Sequence, residues 1–83
     1  MTDAERDIRA ERKRQDAIWG EQNHDAGIWA LILLEEIGEW AQAELESIFG
    51  GPNAGKQREE AVQMAAVAQS IIECMDRREG KGR

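Results

Sequence analysis

Glu36 and Glu39 stand three residues apart, and so do Glu60 and Gln63. On a helix this spacing puts both side chains of a pair on one face. Glu35 and Glu59 add a carboxylate beside each pair. The first pair sits in an apolar segment, after Leu31-Ile32-Leu33-Leu34 and before Trp40-Ala41. An ionised carboxylate against such a surface is costly unless something compensates it. A hard divalent cation is one compensation. Mg²⁺ takes oxygen ligands near octahedral geometry and keeps positions for water and for phosphate oxygens. The carboxylates of Glu36, Glu39 and Glu60 with the amide oxygen of Gln63 suit it. Solvated acidic helices also contain pairs at spacing three by chance. The apolar flanks are what favour a metal here.

Other chemistries lack their residues. His24 is the only histidine and Cys74 the only cysteine, so no intrachain disulfide is possible. No Ser-His-Asp or Cys-His arrangement is visible. Gly50-Gly51-Pro52-Asn53-Ala54-Gly55-Lys56 lacks the spacing of a phosphate loop and its following Ser or Thr. A carboxylate-bridged di-iron bundle needs Glu-x-x-His on its helices, and none occurs.

The elements that must position the carboxylates are helical. With one proline and no alternating Val- or Ile-rich run bounded by turns, a β fold has nothing to rest on. The first helix is expected from about Asp3 to Ile18, capped by Thr2 or Asp3 and ended by Gly20. Gly20 to Gly27 reads as a loop. The second helix is expected from about Ile28 to Phe49. Leu33, Leu34, Ile37, Ala41, Leu45 and Ile48 form its apolar stripe, broadened by Trp29, Ile32 and Trp40. It should be buried on more than one side. After the Gly50–Gly55 break, a third helix is expected from about Gln57 to Arg77, with a frayed tail from about Arg78.

The chain of 83 residues is long enough for one domain, 1–83. Such a chain makes a thin core and often gains stability by association. Helices two and three should pair antiparallel, and two such pairs make a four-helix bundle. The expected fold class is therefore all-α, three helices per chain, oligomerising as a homodimer or tetramer into a four-helix-bundle core.

Seventeen acidic residues outnumber 11 basic ones, for a net charge of −6. This argues against nucleic acid, whose affinity comes mainly from Lys and Arg contacts to phosphates. It argues equally against an anionic membrane. A small phosphate ester is still accessible if a metal stands between the two sets of negative charge. The longest apolar run, Ile28 to Leu34, falls short of the ~20 residues of a membrane span. Met1-Thr2-Asp3-Ala4-Glu5 is no signal peptide, and a lone cysteine suits a reducing compartment. The expected location is the cytoplasm.

Glu35-Glu36-Ile37-Gly38-Glu39, a break, and then Glu60-Ala61-Val62-Gln63 resemble the EExxE…ExxD signature of the MazG-like all-α nucleoside triphosphate pyrophosphohydrolases. Glu11-Arg12-Lys13-Arg14-Gln15-Asp16, Trp19-Gly20-Glu21-Gln22-Asn23-His24 and Trp29 are similar to the short phage and bacterial type. So is the run from Glu59 to Ala68, and the resemblance extends from about Glu11 to Arg77. It implies Mg²⁺-dependent cleavage of a nucleoside triphosphate, (d)NTP, between the α and β phosphates, giving the monophosphate, (d)NMP, and pyrophosphate. Mn²⁺ is a possible substitute. Matched by motif, Glu36, Glu39 and Glu60 are metal ligands. Gln63 stands where most of the superfamily has aspartate, as it often does in the short type, and supplies one negative charge fewer.

In such a site Mg²⁺ neutralises and orients the triphosphate and lowers the pKa of a water that attacks the α-phosphorus. Glu39, or Glu35 from behind it, can take the proton. The resemblance also places His24 near the nucleotide; a lone loop histidine is otherwise a polar surface residue. Gln22 and Asn23 have amides suited to a base edge, or simply to a turn. Trp19, beside the loop, can stack on a base, whereas Trp29 and Trp40 have core spacing. Arg14, within the run Arg12-Lys13-Arg14, can reach the β or γ phosphate unless that run is merely solvated. Cys74 reads as a small buried apolar residue. A second function fits the same residues: an acidic helical nucleotide-binding or interaction module with weak turnover, which Gln63 favours.

Overall fold

The computed structural model describes residues 1–80. These residues form three α-helices and no strand: α1 (Asp3–Trp19), α2 (Ala26–Phe49) and α3 (Gln57–Arg78). Arg78 closes α3, and the rest of the expected tail falls partly at 81–83, outside the described residues.

Local chemistry sets the helix ends. The Glu5 N–H donates to the Thr2 hydroxyl at 3.1 Å, and the Thr2 N–H donates to the Glu5 carboxylate at 2.8 Å. This reciprocal pair satisfies two of the backbone donors that a helix start leaves free. Gly20 ends α1 at φ 71°, a left-handed conformation that favours glycine, and its N–H reaches the Asp16 carbonyl at 2.8 Å. α2 starts two residues earlier than the periodicity predicts, because Asp25 rather than Gly27 is the extended N-cap residue that precedes it.

Past α2 the chain turns over Glu46, whose carboxylate accepts from the Asn53 N–H at 2.6 Å and from Gln42 at 2.8 Å. Gly51, at φ 151°, must be glycine. A Cβ there would lie 2.6 Å from the Glu46 carboxylate oxygen. Arg77 and Arg78 place positive charge in the last turn of α3, where the helix dipole favours it.

α3 is the middle element. It packs against α1 on one side and α2 on the other, and α1 and α2 do not pack on each other. The α2–α3 contact is apolar: Trp29, Val67 and Cys74 are buried, with Ile32, Leu33 and Ile71 against them. The α1–α3 contact is largely polar. Gln15 is buried, Arg12 pairs with Glu73 at 2.5 Å, and Arg58 pairs with Asp7 at 2.8 Å.

Trp29 is a core residue, as its spacing suggests, and Cys74 is buried, as a small apolar residue would be. The apolar stripe of α2 is another matter. Leu34, Ile37, Leu45 and Ile48 are exposed, and so is Trp40. α3 covers only one side of α2, and α1 is too far away to cover the other. The chain measures 46 × 31 × 20 Å, with a radius of gyration of 14.1 Å. A compact domain of this length would have ~12 Å. The excess reflects three helices laid side by side rather than bundled. No helix among the described residues is long and apolar enough to cross a membrane.

Candidate metal centre

Because α1 and α2 meet α3 but not each other, a groove runs between them with α3 as its floor. It holds a cavity of about 410 Å³. Glu11, Arg14, Gln15 and Trp19 of α1 form one wall, and Ile32, Glu35, Glu36 and Glu39 of α2 the other. Gln63, Val67 and Ser70 of α3 lie beneath, and Gln22 closes the end nearest the loop.

One carboxylate oxygen from each of Glu35, Glu36 and Glu39 lies within 4.8 Å of the other two. Helix spacing accounts for Glu36 and Glu39. Glu35 joins them at the groove edge. Glu36 is half-buried, while Glu35 and Glu39 are exposed. One carboxylate oxygen of Glu36 and one of Glu60 are buried with no hydrogen-bond partner.

Electrostatics follows from this crowding. Burial, reinforced by the charges of Glu39, Glu60, Glu35 and Glu11, pushes the Glu36 carboxyl up to about 7. The Glu60 carboxyl is also raised, by burial first and then by the charge of Glu39 and a hydrogen bond with it. Glu60 on α3 thus belongs to the same electrostatic cluster as the α2 glutamates. Oxygens bound to one Mg²⁺ at ~2.1 Å lie at most ~4.2 Å apart, so the α2 carboxylates need only side-chain adjustment to share an ion. The partnerless buried oxygens of Glu36 and Glu60 fit a hard cation's demand for oxygen donors; Glu36 and Gln63 line the cavity, whereas Glu60 is not among its lining residues.

The expected substrate residues divide. Arg14, Trp19 and Gln22 line the cavity. Arg14 donates to both oxygens of Glu11, at 2.8 and 2.6 Å, and lies within reach of the charges on Glu36 and Glu59. Trp19 is exposed at the rim. Asn23 and His24 are held elsewhere. Arg77 donates to the Asn23 side chain, and His24 lies 2.9 Å from the Gln22 amide oxygen with its ring edge-on to Trp29. Arg12 is tied to Asp16 and Glu73 and lines a separate cavity of about 250 Å³.

Glu11, Gln15 and Ser70 join the site without having been anticipated. The signal for the first two was present: Glu11, Arg14 and Gln15 stand at helical spacings of three and four, and Gln15 also donates to Glu11 at 3.0 Å. Ser70 follows Gln63 and Val67 along one face of α3, and a lone serine gave no such pattern. A second hollow shares Glu11, Arg14 and Gln63 with the first and adds Arg58 and Glu59.

No protein-family model matches the chain, and no curated protein or solved structure matches it significantly.

Proposed function

We propose that this chain is a Mg²⁺-dependent nucleoside triphosphate pyrophosphohydrolase of the MazG-like all-α type, converting (d)NTP to (d)NMP and pyrophosphate in the cytoplasm, and working as a homodimer or tetramer. The observation that carries this is the cluster of Glu35, Glu36 and Glu39 on the groove wall, with Glu60 of α3 hydrogen-bonded to Glu39 and one oxygen each of Glu36 and Glu60 buried and partnerless. The motif resemblance supplies the reaction.

Glu36, Glu39, Glu60 and Gln63 would hold the metal. When bound, Mg²⁺ supplies charge neutralisation of the triphosphate and a more acidic water. Glu35 and Glu39, exposed at the groove edge, are the available proton acceptors. Arg14 offers a guanidinium to phosphate oxygens once it exchanges Glu11 for substrate. Trp19 offers a ring face to the base, and Gln22 an amide to its edge. Asn23 and His24, held by their present partners, do not line the groove, and their part is to keep Gln22 in place at its end. Side chains of α1 and α2 wall the groove and those of α3 floor it.

Gln63 favours a second function, a nucleotide-binding or interaction module with weak turnover. Titration calorimetry with Mg²⁺ and a non-hydrolysable triphosphate tests the binding step common to both. Metal-dependent binding lost in Glu36→Gln supports the site, and binding unchanged in that variant removes it. Turnover separates the two functions.

A further inference from the structure

The face of α2 turned away from α3 has a pattern of its own. Leu31, Leu34, Gly38, Ala41, Leu45 and Ile48 follow alternating steps of three and four, the spacing of a helix–helix seam. Trp29, Glu36 and Ala43, which α2 turns toward the rest of the chain, fall on the opposite side. The stripe is uncovered: Leu31, Leu34, Leu45 and Ile48 are each more than half exposed. At Gly38 nothing lies within 4 Å of where a Cβ would stand.

The order of sizes along the stripe is large, large, small, small, large, large. It reads the same from either end. Two copies laid antiparallel therefore bring Gly38 against Ala41 of the partner subunit at a narrow waist. Leu34 then meets Leu45 of the partner subunit, and Leu31 meets Ile48 of the partner subunit. Antiparallel packing also opposes the two helix dipoles. α2 has no Lys or Arg with which a parallel register might pair its glutamates.

The area is sufficient. The large apolar residues of this face, from Ile37 at 38% to Phe49 at 81% exposed, present on the order of 700 Å², close to the ~800 Å² that each partner gives a standard interface.

We propose that the outer face of α2 docks on the same face of a second copy, antiparallel, with the two-fold axis between Gly38 and Ala41. This rests on the self-association already proposed and gives it a geometry. Glu35 flanks the seam on the side where Gln42 of the partner subunit arrives. The second copy thus adds an amide to the rim of the glutamate cavity.

The test is cross-linking of surface cysteines in the full chain, with sedimentation velocity and circular dichroism alongside. Cys74 is fully buried and stays in place in every protein. Leu31→Cys and Ile48→Cys, differently tagged, should cross-link to each other when mixed, and neither should cross-link to itself. Leu34→Glu should be monomeric with helical content unchanged, because Leu34 is exposed in the protomer. Self-cross-linking of Leu31→Cys would show a parallel seam and overturn the proposal. A dimer that survives Leu34→Glu would place the interface elsewhere, overturning the proposal while self-association stands. A monomeric wild-type chain would overturn both.

Discussion

Arg77, near the end of α3, holds the Asn23 side chain through two hydrogen bonds of 3.1 and 3.0 Å and reaches the Gln22 carbonyl at 3.0 Å. One guanidinium thus fixes the loop between α1 and α2, including the residue that closes the glutamate cavity. Hydrogen bonds to a charged group contribute ~1.5–3 kcal/mol each when buried and less when partly exposed, as these are. Arg77→Ala should lower the denaturation midpoint modestly and raise KM for the nucleotide while leaving kcat nearly unchanged. Steady-state kinetics and urea unfolding check this. An equal fall in kcat with no change in KM would mean that the loop does not position substrate.

The raised Glu36 carboxyl makes stability depend on pH in a definite direction. In the unfolded chain Glu36 ionises near 4.5, and in the folded chain near 7. Below 4.5 both states are protonated and the favourable buried acid is fully present. Between 4.5 and 7 the unfolded state loses its proton first, so folding stability falls as pH rises, and above 7 the loss is complete. Glu36→Gln removes the ionisation. It should raise Tm at pH 8 and change it little at pH 4.5. Thermal unfolding at both values checks the sign; equal shifts would mean that burial and crowding are not felt by the carboxylate. Millimolar Mg²⁺ should stabilise the wild type at pH 8 and not Glu36→Gln.

The helices, their order and their breaks could be read from the chain because they rest on local signals. Thr2 with Glu5, Gly20 and the Gly50–Gly55 run are such signals. The convergence of Glu36 with Glu39 was equally local, a matter of helix spacing. Glu60 joined them because α3 packs on α2 through Val67 and Cys74. What could not be read was which side of α2 would be covered. Periodicity marks Leu34, Leu45 and Ile48 as apolar, but it does not say whether the surface they meet belongs to the same chain. The anchoring of Asn23 was hidden for a related reason, since Arg77 lies 54 residues away and its partner is set by packing alone.

Trp29 is 4% exposed and joins α2 to α3 beside Val67 and Cys74. Trp29→Ala should destabilise the chain by ~3–5 kcal/mol, the usual cost of removing a large buried aromatic. Because the core is this small, the variant should be largely unfolded at room temperature. Far-UV circular dichroism during a urea titration checks it. A midpoint close to that of the wild type would show that the core is held by other contacts.

Gln63 gives the site an amide where a fourth carboxylate would bind free cation more strongly. Gln63→Asp should therefore tighten Mn²⁺ binding in the absence of nucleotide, with turnover free to change in either direction because aspartate cannot donate the amide's hydrogen bond. A Mn²⁺ titration of both proteins in the same salt measures this. Equal affinities would put Gln63 outside the metal's reach.

The central claim is that the groove glutamates hold a metal–triphosphate complex for cleavage between the α and β phosphates. Product analysis by ion-exchange chromatography, for a panel of (d)NTPs with Mg²⁺, tests it most directly in wild type and Glu36→Gln side by side. The expected result is monophosphate and pyrophosphate in equal amounts from at least one substrate, with turnover at least ~100-fold lower in the variant, the low end for loss of an electrostatic catalytic group. Diphosphate with orthophosphate, or equal turnover by the two proteins, would contradict it.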